Sequence, residues 1–113
     1  MPTKDPREPF ARITVDEGKE MMSLNSVAVI DVREPSEYNA GHVPSAKLIP
    51  VSTVFVRRQE LPTDKDIIFV CQVGQRSALA AELAAAAGLP PEQLYNLDGG
   101  TDAWKKAGEA VEA

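Results

Sequence analysis

The sequence predicts an α/β domain with a mainly parallel sheet and helices on both of its faces. Two observations carry this. The runs Val27-Ala28-Val29-Ile30 and Ile67-Ile68-Phe69-Val70 are apolar throughout, without the period-two alternation of a strand that has one wet face. Segments with helical caps and stops fall between the strands, as crossover connections between parallel strands require.

Along the chain, residues 1–10 form an extended N-terminal segment, because Pro2, Pro6 and Pro9 remove backbone donors and resist helix. It either adds an edge strand, covers the sheet or stays disordered. Residues 11–113 form a single domain. Thr14 and Glu17 match a capping box and open a short helix to about Ser23, with Val15 and Met22 on its apolar side and Gly18 weakening it. After the first strand, Asp31-Val32-Arg33-Glu34 leads into one or two helical turns over 35–40, stopped by Gly41. Lys47–Ile49 is a short strand ending at Pro50. Residues 52–61 read as helix on length and on the polar tail Arg57-Arg58-Gln59-Glu60, although Val54, Phe55 and Val56 favour strand.

Cys71 stands at the end of the second apolar strand, before a short loop over 72–75 that contains Gly74. The segment 77–87 is a helix rich in alanine and leucine, closed by Gly88 and Pro90-Pro91. Leu94-Tyr95-Asn96-Leu97 is a further strand. Gly99-Gly100 turns the chain into a last helix over 101–106, capped by Gly108.

Composition limits the function. The chain has 113 residues, 43% of them hydrophobic, which suffices for one packed core. Its 12 basic and 17 acidic residues give a formal charge of −5. That balance disfavours nucleic acid and anionic membrane surfaces as partners, while a small anion needs only a local basic spot. A single cysteine forms no internal disulfide, which favours a reducing compartment or a reactive thiol. No signal-peptide pattern and no apolar run of about 20 residues is present, so a soluble, cytoplasmic protein is expected.

The chemistry concentrates at Cys71. Sites in open parallel sheets gather beyond the carboxyl ends of the strands. A loop there can turn its N–H groups inward, the following helix adds a partial positive charge, and Arg76 adds a full one. All three favour thiolate over thiol, and the thiolate is the nucleophile. The competing reading is a plain buried cysteine acting as a small hydrophobe, which belongs inside a strand rather than at its mouth. Arg76 read only as a solvated residue sits poorly at a helix start, where the dipole repels cations, and Ser77 also reads as a simple cap.

Three motifs then resemble the rhodanese-like family. The first comprises Asp31-Val32-Arg33-Glu34, Glu37-Tyr38, Gly41-His42-Val43, Ala46 and Ile49-Pro50. The second is Cys71, Gly74 and Arg76-Ser77. The third is Leu97-Asp98-Gly99-Gly100 with Trp104. They stand in family order across about residues 13–110. The resemblance implies a five-stranded parallel sheet flanked by helices and a sulfurtransferase reaction. In that reaction Cys71 takes the sulfane sulfur of a donor such as thiosulfate as a persulfide and passes it to cyanide or a thiol, with ping-pong kinetics. It implies Cys71 as nucleophile, the backbone of Gln72, Val73, Gly74, Gln75 and Arg76 as cradle, and Arg76 against the anionic donor. Ser77 and Arg33 are counted with the substrate-binding residues, Arg33 also pairing with Asp31 in a structural reading.

Phosphatase relatives of the family carry a loop one residue longer, with arginine seventh. Here arginine is sixth and Ser77 seventh, which favours sulfur chemistry. A phosphatase or arsenate reductase on this fold, and a non-catalytic interaction or sulfur-relay module, are the rival readings. His42 matches the family's structural Gly-His step more closely than a general base. Tyr38 and Trp104 read as packing anchors. No metal site is expected from one cysteine and one histidine, and no cofactor. The expected partners are a small anionic sulfur donor, a thiol or cyanide acceptor and, in a relay, a protein acceptor of sulfur.

Overall fold

A computed structural model describes residues 1–24 and 26–113. Six strands form one sheet: β1 (Thr3–Lys4), β2 (Ala11–Ile13), β3 (Val27–Asp31), β4 (Lys47–Leu48), β5 (Asp66–Val70) and β6 (Leu94–Leu97). They run in the order β1-β2-β6-β5-β3-β4. Every pairing from β2 to β4 is parallel, and β1 alone is antiparallel, on β2. The five parallel strands meet the expectation, and the sheet exceeds it by one edge strand. That strand lies inside residues 1–10, so the proline-rich segment joins the sheet rather than standing apart from it. An edge position tolerates such a segment, because only one side of the strand must be paired.

Among the described residues, three α-helices lie between strands, α1 (Val15–Ser23), α2 (Pro35–Asn39) and α3 (Gln75–Ala86), and a fourth, α4 (Gly100–Lys106), follows β6. The sheet is buried on both faces, as its unbroken apolar strands require. Successive β5 residues point to opposite sides. Ile67 and Phe69 join the core packed by Ala80, Ala81 and Ala84 of α3. Ile68 and Val70 join the one packed by Met21 and Met22 of α1, Tyr38 of α2 and Trp104 of α4.

The capping box at the start of α1 is formed: the Thr14 side chain accepts from the Glu17 N–H at 3.2 Å, and the Thr14 N–H donates to Glu17 Oε1 at 2.8 Å. Gly18, a weakness by helix propensity, has a packing role. A Cβ there would stand 3.3 Å from Leu97 Cδ1, so its absence lets α1 lie close on the sheet.

Residues 52–61 correct the helical expectation. They form two 3₁₀ turns, Val51–Thr53 and Arg58–Glu60, joined by irregular backbone. Val54 and Leu61 enter the core, while Phe55 and Val56 face solvent. Buried positions seven apart with exposed apolar neighbours make no helical stripe, and β-branched Val51, Thr53, Val54 and Val56 disfavour α-helix. The 67–70 strand begins one residue earlier than expected. The helix after Cys71 begins at Gln75 rather than Ser77, which shortens the loop to three residues.

Candidate active site

Cys71 leaves the carboxyl end of β5, flanked on one side by the end of β3 and on the other by the end of β6. Its loop is shaped from two directions. On the outer side, α4 presents its N-terminus to the loop carbonyls. The Thr101 N–H donates to Cys71 O at 2.8 Å, the Thr101 hydroxyl to the same oxygen at 3.0 Å, and the Asp102 N–H to Gln72 O at 3.1 Å. This approach is possible because residue 100 is glycine. A Cβ at its φ of +60° would collide with the Cys71 and Gln72 carbonyl oxygens. With those carbonyls held outward, the amides of the loop face inward. Gly74, at φ +109°, supplies the left-handed turn that starts α3.

Two groups converge on the sulfur. The Gly74 N–H donates to Cys71 Sγ at 3.0 Å, and the Ser77 hydroxyl lies 3.3 Å from it. Burial pushes the thiol pKa up. Hydrogen bonds from the Ser77 hydroxyl and from the N–H groups of Ser77, Gly74 and Val73 outweigh that, so the pKa falls below the ordinary thiol value. Cys71 is 1% exposed. It belongs to the core cluster with Ile67, Phe69 and Ala81, but unlike a purely apolar thiol its sulfur is met by an N–H and a hydroxyl.

The remaining sequence-derived site residues divide by what they hold. Arg33 is 1% exposed. It donates to Asp31 through Nε and Nη2, to Gly41 O at 2.9 Å and to Gln72 Oε1 at 3.0 Å. Its guanidinium is thus spent inside the protein, and it reaches the loop only through Gln72. The Gln72 side chain bridges Arg33 and the Asp102 carboxylate. Arg76 is half-buried and forms a bidentate pair with Glu37 of α2, at 2.8 and 2.9 Å. That pair, with the Glu34 N–H, holds the Glu37 carboxyl at about 2. Val73 and Gln75 face solvent, and Gly74 and Ser77 are buried.

His42 stacks on Tyr38 with ring centroids 3.7 Å apart, and its Nδ1 lies 3.0 Å from Tyr38 O. Its backbone pairs with Glu112 in both directions, so it fastens the C-terminal segment. Trp104 packs in the core and donates to Ala110 O at 2.8 Å. Among the described residues no three His, Cys, Asp or Glu side chains gather as metal ligands would, and no helix is long and apolar enough to cross a membrane.

Asn96 escaped the sequence reading. It is fully buried beneath the loop, donating to Gly74 O at 3.2 Å and accepting from the Ser77 hydroxyl. The available signal was a lone amide within an otherwise apolar strand, since buried polar groups need partners.

A sequence model of the Rhodanese-like domain matches residues 14–107. The chain belongs to the rhodanese-like domain family. Over 98 residues it is 33% identical to a protein of Pseudoalteromonas translucida named thiosulfate sulfurtransferase GlpE, covering 87% of this chain and 91% of that protein. The crystal structure of a rhodanese-related protein from Thermoplasma volcanium matches with a TM-score of 0.79 at 29% identity, over 89% of this chain and 96% of the other. A Rhodopseudomonas palustris structure, described as a protein of unknown function and possible tyrosine phosphatase, matches with a TM-score of 0.78 at 26% identity, over 99% of both chains. The proteins it resembles thus include some named thiosulfate sulfurtransferase and a structure described as a possible tyrosine phosphatase.

Proposed function

We propose that this rhodanese-like domain is a sulfurtransferase working through a persulfide on Cys71. The observation that supports it best is the convergence of the Gly74 N–H and the Ser77 hydroxyl on one sulfur at the end of β5. In the first half-reaction the Cys71 thiolate attacks the outer sulfur of thiosulfate. A Cys71 S–S bond forms, the donor S–S bond breaks, and sulfite leaves with the electron pair. The charge now rests on the outer persulfide sulfur, which cyanide or a thiol removes in the second half-reaction, regenerating the thiolate. The inward amides of residues 72–76 cradle that sulfur. Arg76 meets the anionic donor after parting from Glu37, and Arg33 fixes Gln72 and with it the start of the loop. A reduced thiol is required throughout, which suits a reducing compartment such as the cytoplasm.

The test is the intact mass after incubation with thiosulfate without reductant. A gain of about 32 Da, one sulfur, is expected for the wild type and none for Cys71→Ser. An unchanged wild-type mass would overturn the proposal.

The phosphatase reading has one observation in its favour, the likeness to the R. palustris protein described as a possible tyrosine phosphatase. Against it stand the sixth-position Arg76 and its engagement with Glu37. Aryl-phosphate hydrolysis that depends on Cys71, without sulfur uptake, would decide for it. Partner capture that survives Cys71→Ser would instead favour a non-catalytic module.

A further inference from the structure

The buried amide of Asn96 stands in a chain of donors and acceptors that permits only one reading. Gly74 O can only accept, so the side of the amide facing it, 3.2 Å away, must be Nδ2. Oδ1 then faces Ser77 and can only accept, so the Ser77 hydroxyl donates to it. That hydroxyl has one proton and a second acceptor in reach, Cys71 Sγ at 3.3 Å. A protonated thiol satisfies every member of the chain, with S–H donating to Ser77 and Ser77 donating to Asn96. A thiolate does not, since Ser77 can support it only by leaving Asn96 Oδ1 without a partner. Asn96 is 0% exposed, so no solvent replaces the lost bond.

We propose that Asn96 is a positioning residue that competes with the Cys71 thiolate for the Ser77 proton, and so favours the sulfur-loaded enzyme over the empty, ionised one. The second half of this inference rests on the persulfide reading above. When Cys71 carries a sulfur, its Sγ is bonded to two heavy atoms and uncharged, and the charge sits on the outer sulfur. Sγ then no longer needs the Ser77 proton, which returns to Asn96. The empty thiolate costs Asn96 its bond and the loaded form does not.

The charged groups around the thiol are Arg76 at the start of α3, Glu37 of α2 paired with it, Asp31 at the end of β3, Arg33 just beyond it, and Asp102 of α4 at Gln72. They are unchanged by substitutions at 96, so they do not confuse the test.

Iodoacetamide alkylation of Cys71 followed against pH gives the first readout. Asn96→Leu is expected to lower the midpoint by about one pH unit, the scale of one hydrogen bond to a charged group. The drop should vanish on a Ser77→Ala background. Mere loosening of the loop predicts the opposite sign, since it weakens the amide donors to the sulfur. The second readout uses the unaltered protein, in case Leu at 96 does not fold. The side-chain amide resonances of Asn96 are expected to shift with the Cys71 titration and to return to their low-pH position on conversion to the persulfide. A raised or unchanged midpoint in Asn96→Leu, a drop that persists without Ser77, or amide resonances indifferent to the titration would each overturn the inference. Failure of sulfur uptake would instead strike the sulfurtransferase reading and leave the titration results standing.

Discussion

At the residue scale, the properties of Cys71 follow from its partners rather than from its exposure. A thiol 1% exposed among aliphatic side chains would have its pKa raised, whereas this one has donors at its sulfur and a pKa below the ordinary value. Ser77→Ala removes the leading one of those donors. Its alkylation midpoint is expected to rise by roughly one unit, on the scale of a hydrogen bond to a charged acceptor. A midpoint that does not rise would show that the backbone amides alone hold the thiolate. Arg33 illustrates the opposite case, a charge whose work is internal. Asp31→Ala leaves its guanidinium buried without its carboxylate, and a loss of about 3–5 kcal/mol is expected in denaturant unfolding. A loss below about 1 kcal/mol would mean that the guanidinium finds water or another partner.

At the element scale, the start of α4 shapes the loop after β5, and glycine makes the contact possible. Gly100→Ala places a methyl group against the Cys71 and Gln72 carbonyls at a φ of +60°. Gly108→Ala adds the same methyl group at φ +81° with nothing within 4 Å. The first is expected to lose most of its sulfur uptake, and the second to keep it and lose only about 1 kcal/mol for the left-handed conformation. Equal effects on uptake would show that the approach of α4 does not matter to the loop. These element-level roles were partly legible. The two-glycine turn and the loop glycine stood out in the sequence, but not that the carbonyls of one loop would be held by the helix of another. Residues 52–61 depart from the helical expectation for a related reason. Length and polar residues suggest a helix, whereas Val54 and Leu61 are the residues that enter the core and the β-branched residues around them disfavour α-helix.

At the scale of the whole molecule, the site depends on ion pairs between distant segments. Glu37 of α2 and Arg76 of α3 are the pair at the loop. With the folded-state pKa of Glu37 at about 2 and an ordinary value of 4.5, its contribution to stability is complete above about pH 4.5 and is lost as pH falls through about 2. Glu60, held at about 2 by Arg57 and Lys47, follows the same sense. Glu37→Gln is expected to flatten the acid limb of the stability–pH curve measured by thermal unfolding. An unchanged limb would show that the pair is absent in solution. The N-terminal segment is part of the same whole. Phe10 is 1% exposed in the core packed against α3, so Phe10→Ala is expected to cost about 3–5 kcal/mol.

The amino-acid sequence by itself determined the α/β class, the parallel core of the sheet and the place of Cys71 at a strand end. Apolar runs, caps and glycine stops are local signals that survive without knowledge of the fold. Only the tertiary structure decided that residues 1–10 contribute an edge strand, that Arg33 is spent on Asp31, Gly41 and Gln72, that Arg76 pairs with Glu37, and that Asn96 lies beneath the loop. Each of these depends on which groups a polar side chain meets across the sheet. Hydrogen bonds and ion pairs are short-ranged and directional, so their partners are set by three-dimensional proximity and not by spacing along the chain.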